Sequence, residues 1–136
     1  MARIKLANII RECDRTLKPD LFEDWPGAVN GLQVENNGNI SHIAAAVDAT
    51  PATVKKTIEA GADLLIVHHG LFWGATHPWT GSRYKLLRLL LDNNIAVYSS
   101  HLPLDAHPKI GNNARLCKAL GITSPKPFFI DRNPPI

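Results

Sequence analysis

The chain has 136 residues, of which 45% are apolar and 20% are charged, and its 15 Lys and Arg against 12 Asp and Glu give a net charge of +3. This composition excludes a disordered, collagen-like or coiled-coil chain and is typical of one globular domain with its own core. The basic residues form no run or stripe, so we expect no dedicated nucleic-acid binding and no anionic membrane surface as a partner.

The first 40 residues predict one helix followed by a loop. Apolar residues recur at helical spacing over residues 4–17, which predicts an amphipathic helix. Two prolines then end that pattern, and we expect the loop to turn at Asn30-Gly31. A short strand is predicted at residues 32–34.

Strands and helices alternate from residue 41 to residue 121. Three short apolar segments predict strands, and a helix is predicted after each: strands at 43–47, 64–67 and 95–98, and helices at 50–61, 84–92 and 112–120. The segment at 64–67 is continuously apolar, which is typical of a strand buried on both faces. The order predicts an α/β fold of parallel βαβ units with helices on both faces of the sheet.

We expect residues 1–136 to form a single α/β lobe. It divides into an N-terminal helix and loop (1–40), a βαβαβα core (41–121) and an irregular tail (122–136). The longest clean apolar run, at 64–67, is far too short to span a membrane, and no apolar stretch near the N-terminus is long enough for a signal peptide. We therefore expect a soluble, cytoplasmic protein.

Polar side chains follow each predicted strand of the core at its carboxyl end. They are Asp48 after the first strand, His68 and His69 after the second, and His101 with Asp105 after the third. Open α/β sheets bind ligands at this edge, so we expect these side chains to converge. Neutral imidazole and carboxylate are ligands for a borderline divalent ion such as Zn, Fe, Mn, Co or Ni. Adjacent strand residues point to opposite sides, so the histidine pair suits two ions better than one.

Each of these residues also has a purely structural explanation. A histidine pair is common on a loop surface, Asp48 could cap the next helix, and Asp105 could be a turn former. An apolar strand that leads directly into two histidines favours a functional site, because unsatisfied imidazoles there would cost desolvation. The sequence contains no phosphate-binding glycine loop and no nucleophile-elbow motif.

An aromatic segment, Phe72-Trp73-Gly74…His77-Pro78-Trp79, follows the histidine pair. Two explanations stay open at this point. The segment could stack a planar ligand beside the strand ends, or it could pack against a neighbouring subunit and leave apolar surface uncovered on a single chain.

Four motifs resemble one known family in their order and spacing. They are Asn30-Gly31-Leu32-Gln33-Val34-Glu35, then Gly61-Ala62-Asp63 leading to Val67-His68-His69-Gly70, then His101-Leu102-Pro103-Leu104-Asp105-Ala106-His107-Pro108, and Gly111-Asn112-Asn113-Ala114. From the first helix to Gly121, the chain is similar to the NIF-three-like dinuclear-metal-centre family, whose members are also called GTP cyclohydrolase 1 type 2 homologues. The resemblance implies one lobe of a two-lobed, toroid-forming fold that assembles as a homohexamer with two divalent metal ions per subunit.

The resemblance also implies roles for site residues. His68, His69 and Asp105 are expected to be metal ligands. His101 is expected to line the same pocket and to act as the catalytic residue. The family's second lobe supplies a His and a Glu four residues apart, and this chain offers no such helical pair. His101 and Asp105 have that separation, but we expect Pro103 between them to exclude a helix.

The expected function is that of a metal-dependent hydrolase, in which the metals generate hydroxide and polarise a small-molecule substrate. The family name suggests GTP ring opening, although no residue here selects guanine or a triphosphate. A non-enzymatic metal-binding scaffold or partner-binding protein, or a truncated and inactive lobe, is the alternative. Three protein ligands satisfy one ion with a water, so we expect this chain alone to bind at most one divalent ion.

Overall fold

The structure is a computed structural model that describes residues 3–75 and 77–127. Its strands are β1 (Ile4–Lys5), β2 (Gly31–Val34), β3 (Asn39–Ile40), β4 (Ile43–Asp48), β5 (Leu64–His69) and β6 (Ala96–Ser99). Its α-helices are α1 (Leu6–Leu17), α2 (Pro51–Glu59), α3 (Gly81–Asp92), α4 (Leu102–Asp105) and α5 (Asn112–Ala119). Among the described residues, no helix is both long enough and apolar enough to span a lipid bilayer.

The central sheet has the strand order β2-β6-β5-β4. Strands β4, β5 and β6 are parallel, which confirms the predicted parallel α/β core. Strand β2 pairs with β6 antiparallel, so the sheet is mixed. The parallel register places Asp48 opposite His69 and Val67 opposite Ser99, and this brings three strand ends to one edge of the sheet.

Both faces of the sheet are covered by helices, as predicted. Neighbouring residues of β5 point to opposite faces, yet Leu64 is 0% exposed and Leu65 is 1% exposed. Two apolar clusters account for this burial. On one face α1 contributes to the cluster of Leu6, Leu17, Ile40, Leu64, Ala96 and Tyr98. On the other face α2 and α3 contribute to the cluster of Val34, Val54, Leu65, Val67, Leu90, Ile95 and Val97.

Helix α2 begins as its sequence predicts. The Thr50 hydroxyl accepts a hydrogen bond from the Thr53 backbone N–H, and the Thr53 hydroxyl accepts one from the Thr50 N–H. Pro51 occupies the first turn, where its missing N–H costs nothing. The chain leaves the helix through Gly61 at φ +65°, a left-handed conformation that glycine adopts without strain.

The predicted turn at Asn30-Gly31 is wrong. The turn lies at residues 25–28, where the Ala28 N–H donates to the Trp25 carbonyl at 2.9 Å and Gly27 has φ +80°. Proline followed by a positive-φ glycine is the pattern of a type II turn, and Pro26-Gly27 supplies it. Gly31 instead begins β2.

The expectation that Pro103 excludes a helix is also wrong. Residues 102–105 form the single turn α4, and the Asp105 N–H donates to the His101 carbonyl at 3.1 Å. Pro103 lies in the first turn, where no backbone N–H is needed. His101 and Asp105 therefore lie one helical turn apart.

The ends of the chain differ in detail from the predicted elements. The first helix begins at Leu6, because Ile4 and Lys5 pair with β3 instead. Residues 122–127 contain neither helix nor strand, in agreement with an irregular segment, and the rest of the predicted tail lies outside the described residues. The division into three segments stays a prediction.

Candidate metal centre

Three histidine rings meet at the carboxyl edge of the parallel strands. The ring centroids of His68 and His69 are 4.6 Å apart, and His101 lies 4.9 Å from the first and 5.5 Å from the second. One ring nitrogen from each histidine lies within 4.8 Å of the others, so the group could hold a metal ion. The expectation that His68 and His69 point to opposite sides is therefore wrong, because at the end of β5 both rings are held toward the same cluster.

The Nδ1 atom of each ring contacts an oxygen that can only accept a hydrogen bond. The contacts are His68 to the Ser100 carbonyl at 3.0 Å, His69 to Asp48 Oδ1 at 2.7 Å and His101 to Asp24 Oδ1 at 2.7 Å. Each Nδ1 must then carry the hydrogen, which leaves the lone pair of each neutral ring on Nε2. An oxygen partner on the remote nitrogen is the arrangement that orients metal-binding histidines.

Asp24 is a buried carboxylate that the sequence did not single out, and its side chain is only 6% exposed. Its Oδ1 accepts from the Trp25 N–H as well as from His101, and its Oδ2 accepts from the Asn30 amide at 2.8 Å and the Leu102 N–H at 3.2 Å. Burial raises the pKa of Asp24, but the hydrogen bonds from Asn30, His101 and Trp25 together lower it more, so the pKa lies below its usual range.

Asn30 supports the same histidine from a second direction. Its side-chain oxygen accepts from the His101 backbone N–H at 2.7 Å, while its amide donates to Asp24. The Asn-Gly motif drew attention to this residue but suggested a turn instead. Asp24 carried no signal in the sequence, because it lies in a loop rather than at a strand end.

Asp105 lies beside His68, as expected. Its Oδ2 is 3.5 Å from His68 Nε2, and its Oδ1 accepts from the Asn112 amide at 2.9 Å. The two side chains are 15% and 20% exposed, so both are mostly shielded from water. His101, rather than Asp105, completes the group whose ligand atoms all lie within 4.8 Å of one another. The assignment of His68, His69 and Asp105 as ligands and of His101 as catalytic stays a prediction.

Asp48 holds His69 rather than capping α2, which is capped by Thr50. The Asp48 side chain is 54% exposed and His69 is 41% exposed, so this pair lies at the open side of the site. An open cavity of about 600 Å³ reaches the pair and is lined by Trp25, Asp48, His69, Trp73 and His101.

Trp73 forms one wall of that cavity. Its ring stands nearly perpendicular to His101, at a centroid distance of 4.9 Å and an angle of 85°, and its indole N–H donates to the Gly70 carbonyl at 3.1 Å. The edge-to-face contact and the hydrogen bond fix the ring beside the histidines. The aromatic segment thus contributes at least one side chain to the candidate metal centre.

The family model described as Duf34/NIF3 (NGG1p interacting factor 3) matches residues 4–131. The chain belongs to the Duf34/NIF3 family. The resemblance inferred from the four motifs is thereby confirmed. The matched residues include His68, His69, His101 and Asp105 of the candidate metal centre.

Several relatives of this Duf34/NIF3 chain are named GTP cyclohydrolase 1 type 2 homolog. The protein of Deinococcus radiodurans is 46% identical over 101 residues, which are 74% of this chain and 38% of the relative. The protein of Chlamydia muridarum is 42% identical over 120 residues, which are 87% of this chain and 47% of the relative. The chain thus spans at most about half the length of these relatives.

Solved structures show the same fold. TTHA1606 from Thermus thermophilus superposes with a TM-score of 0.88 at 39% identity, over 96% of this chain and 52% of that protein. Reduced HcgD from Methanocaldococcus jannaschii superposes with a TM-score of 0.81 at 32% identity, over 93% of this chain and 51% of that protein.

Proposed function

We propose that this chain binds a divalent metal ion at the group formed by His68, His69 and His101, with Asp105 beside His68. One observation supports the proposal most strongly: the Nδ1 atom of every ring is held by an oxygen acceptor, so three Nε2 lone pairs are left for one ligand. A chance cluster of surface histidines does not need three such partners.

The donor set fits a borderline divalent ion. Imidazole nitrogens favour Zn, Fe, Co or Ni over Mg or Ca, and one adjacent carboxylate is compatible with these ions. When bound, such an ion acts as a Lewis acid that polarises a substrate and activates water at neutral pH. The open cavity beside His69 and Trp73 gives a small molecule access to the group.

We further propose that the intact protein is a metal-dependent hydrolase of small molecules. Its relatives carry the name GTP cyclohydrolase 1 type 2 homolog, and the matched segment contains the candidate metal centre. The test is turnover of GTP by the metal-loaded protein, with the EDTA-treated protein as control. Metal binding without turnover of GTP or simple phosphoesters would support the non-enzymatic scaffold instead.

His101 has a second candidate role, which one observation favours. Its Nδ1 hydrogen-bonds a buried carboxylate, the arrangement that orients a histidine for proton transfer. Replacing His101 with Gln separates the two roles. Loss of zinc affinity comparable to that of H68A would make His101 a ligand, whereas unchanged zinc affinity with lost turnover would make it the catalytic residue.

The metal proposal is tested by zinc titration calorimetry and by metal analysis of the purified chain. We expect one tight ion per chain in the wild type and none in H68A, whereas H42A, which removes an exposed histidine outside the group, should bind like the wild type. Two tight ions per chain would contradict the single-ion proposal. Equal zinc binding by H68A and the wild type would contradict the site itself.

For the intact protein, the homohexamer and a second metal ion per subunit are proposals that rest on the family alone, whereas this chain by itself is proposed to bind one ion. Sedimentation velocity of the purified chain, with and without zinc, tests the assembly directly. A hexamer would support the proposal, and a monomer at all concentrations would contradict it for this chain.

A further inference from the structure

A second cavity shares the Trp73 side chain with the cavity beside the histidines. Its volume is about 330 Å³, which is within the range of small-molecule sites. Its walls are aromatic and aliphatic apart from a few polar groups, and they include Phe72, Trp73, Trp79, Leu71, Leu86 and Arg83. We refer to it as the aromatic pocket.

The walls of the aromatic pocket are fixed by contacts within the chain. Phe72 and Trp79 meet edge to face, with ring centroids 5.8 Å apart and an angle of 83°. The turn at residues 25–28 packs so closely on the facing loop that a Cβ atom on Gly27 would lie 2.3 Å from the Gly74 backbone. A pocket held in this way is preformed, which lowers the entropy cost of binding a ligand.

Arg83 places a positive charge at this apolar pocket. It makes no hydrogen bond or ion pair with another described residue, whereas Arg15 and Arg88 are paired with carboxylates on their own helices. A guanidinium presents planar donors that suit a carboxylate or a phosphate. The pocket thus combines aromatic faces with a cation that no described residue pairs.

Trp73 is the one side chain that lines both cavities among those described. A ligand in the aromatic pocket therefore contacts the same indole that stands against His101 and His69. The indole of Trp73 thus links the aromatic pocket to the candidate metal centre.

We propose that the aromatic pocket binds a planar aromatic ring that carries an anionic group, with the ring against Trp73 and Trp79 and the anion at Arg83. The pocket's use as the substrate subsite of the metal centre rests on the function proposed above, whereas ring binding itself does not require a metal. The chemical class is thus a heteroaromatic or aromatic phosphate or carboxylate.

The test is titration calorimetry with three probes: 1-naphthyl phosphate, 1-naphthol and inorganic phosphate. All titrations are done in EDTA, so that metal binding contributes nothing. We expect saturable binding of 1-naphthyl phosphate and weaker binding of either part alone. R83Q should bind 1-naphthyl phosphate about tenfold more weakly and leave 1-naphthol unchanged, because only the charged contact is lost. R11Q, at an exposed arginine of α1, is the matched control and should bind like the wild type.

W79L provides the test of the aromatic wall. It keeps an apolar side chain at a half-exposed position, so the fold should survive, and circular dichroism checks this. We expect about tenfold weaker binding of both 1-naphthyl phosphate and 1-naphthol, since stacking on an aromatic face is lost. Equal binding by W79L and the wild type, or equal losses in R83Q and R11Q, would overturn the proposal.

The other possible occupant of the pocket is a second copy of the chain. Sedimentation would then show self-association that W79L abolishes, and the wild type would bind no probe, which also overturns the proposal. Zinc binding without probe binding would leave the metal function intact and reject the subsite alone. Probe binding without zinc binding would support the pocket and reject the metal function.

Discussion

Replacing Asp24 with Asn should weaken zinc binding while conserving the size of the side chain. The wild-type carboxylate accepts two hydrogen bonds on each oxygen, with His101 and Trp25 on one and Asn30 and Leu102 on the other. An asparagine amide has one oxygen, so its NH2 group must face two donors in either orientation. With the NH2 group toward His101, the ring loses its acceptor or moves its hydrogen to Nε2, and that nitrogen can no longer bind an ion. With the oxygen toward His101, the Asn30 amide and the Leu102 N–H lose their acceptor, so the contacts that position His101 are weakened instead.

The expected loss is about 10- to 100-fold in zinc affinity, the range seen when the partner of a metal-binding histidine is removed. Asp48→Asn is the matched comparison, because Asp48 makes the same contact to His69 at the same distance of 2.7 Å. The Asp48 side chain is 54% exposed against 6% for Asp24. Water can replace the exposed partner but not the buried one, so D48N should lose less than D24N.

The assay is competition for zinc against a chromophoric chelator near pH 7.5. Urea unfolding in EDTA measures the free energy of unfolding separately, and D24N should lose about 2 kcal/mol because two buried donors are left without an acceptor. Zinc affinity of D24N equal to that of the wild type would refute the inference that Asp24 prepares His101 as a ligand. A greater loss in D48N than in D24N would refute the argument from burial.

Three further predictions concern the metal and the fold. Zinc binding should fall as the pH drops below about 6, because imidazole must be neutral to bind a metal, and H68A should remove the binding at every pH, as titration calorimetry would show. Burial raises the pKa of Asp63, but hydrogen bonds from a hydroxyl and backbone N–H groups lower it more, so its folded pKa lies below the usual value of 3.8. The stabilising effect of the Asp63 carboxylate is thus present above pH 4 and lost as the pH falls through the folded pKa. Urea unfolding should show D63N less stable than the wild type by about 2 kcal/mol at pH 7, and this difference in free energy of unfolding should close at lower pH. G27A should be less stable than G38A by about 1–3 kcal/mol in the same assay. The two glycines have φ of +80° and +83°, but of these two only Gly27 has backbone atoms within 4 Å of an added Cβ. Equal losses of stability in the two variants would contradict the packing argument.

Local pattern was enough to predict the core of the fold. Two of these patterns are local. The continuous apolar run of β5 indicates a strand buried on both faces, and Thr50-Pro51 indicates the start of helix α2. Both signals gave elements close to those observed. The proline in α4 misled the prediction because its effect depends on its position within the helix: harmless in the first turn, disruptive in the interior.

The pairing of β2 with β6 could not be predicted in the same way. Residues 31–34 join residues 97–99 across more than sixty positions of the chain, and no local pattern specifies an antiparallel partner at that distance. The same holds for β1 and β3, which are two residues long and derive their stability from the helix and sheet around them.

In the candidate metal centre, too, some features follow from local sequence and others from the tertiary structure. The sequence by itself determined that His68, His69 and His101 lie at one edge of the sheet, because each stands at the carboxyl end of a parallel strand and such strands end at one edge. The shared direction of the His68 and His69 rings was decided by the tertiary structure. Only the tertiary structure decided that Asp24 and Asn30 complete the site, since they reach His101 from a loop more than seventy residues earlier in the chain. The position of a strand follows from its apolar pattern, which neighbouring residues encode, whereas a hydrogen bond from a loop depends on where the whole chain folds.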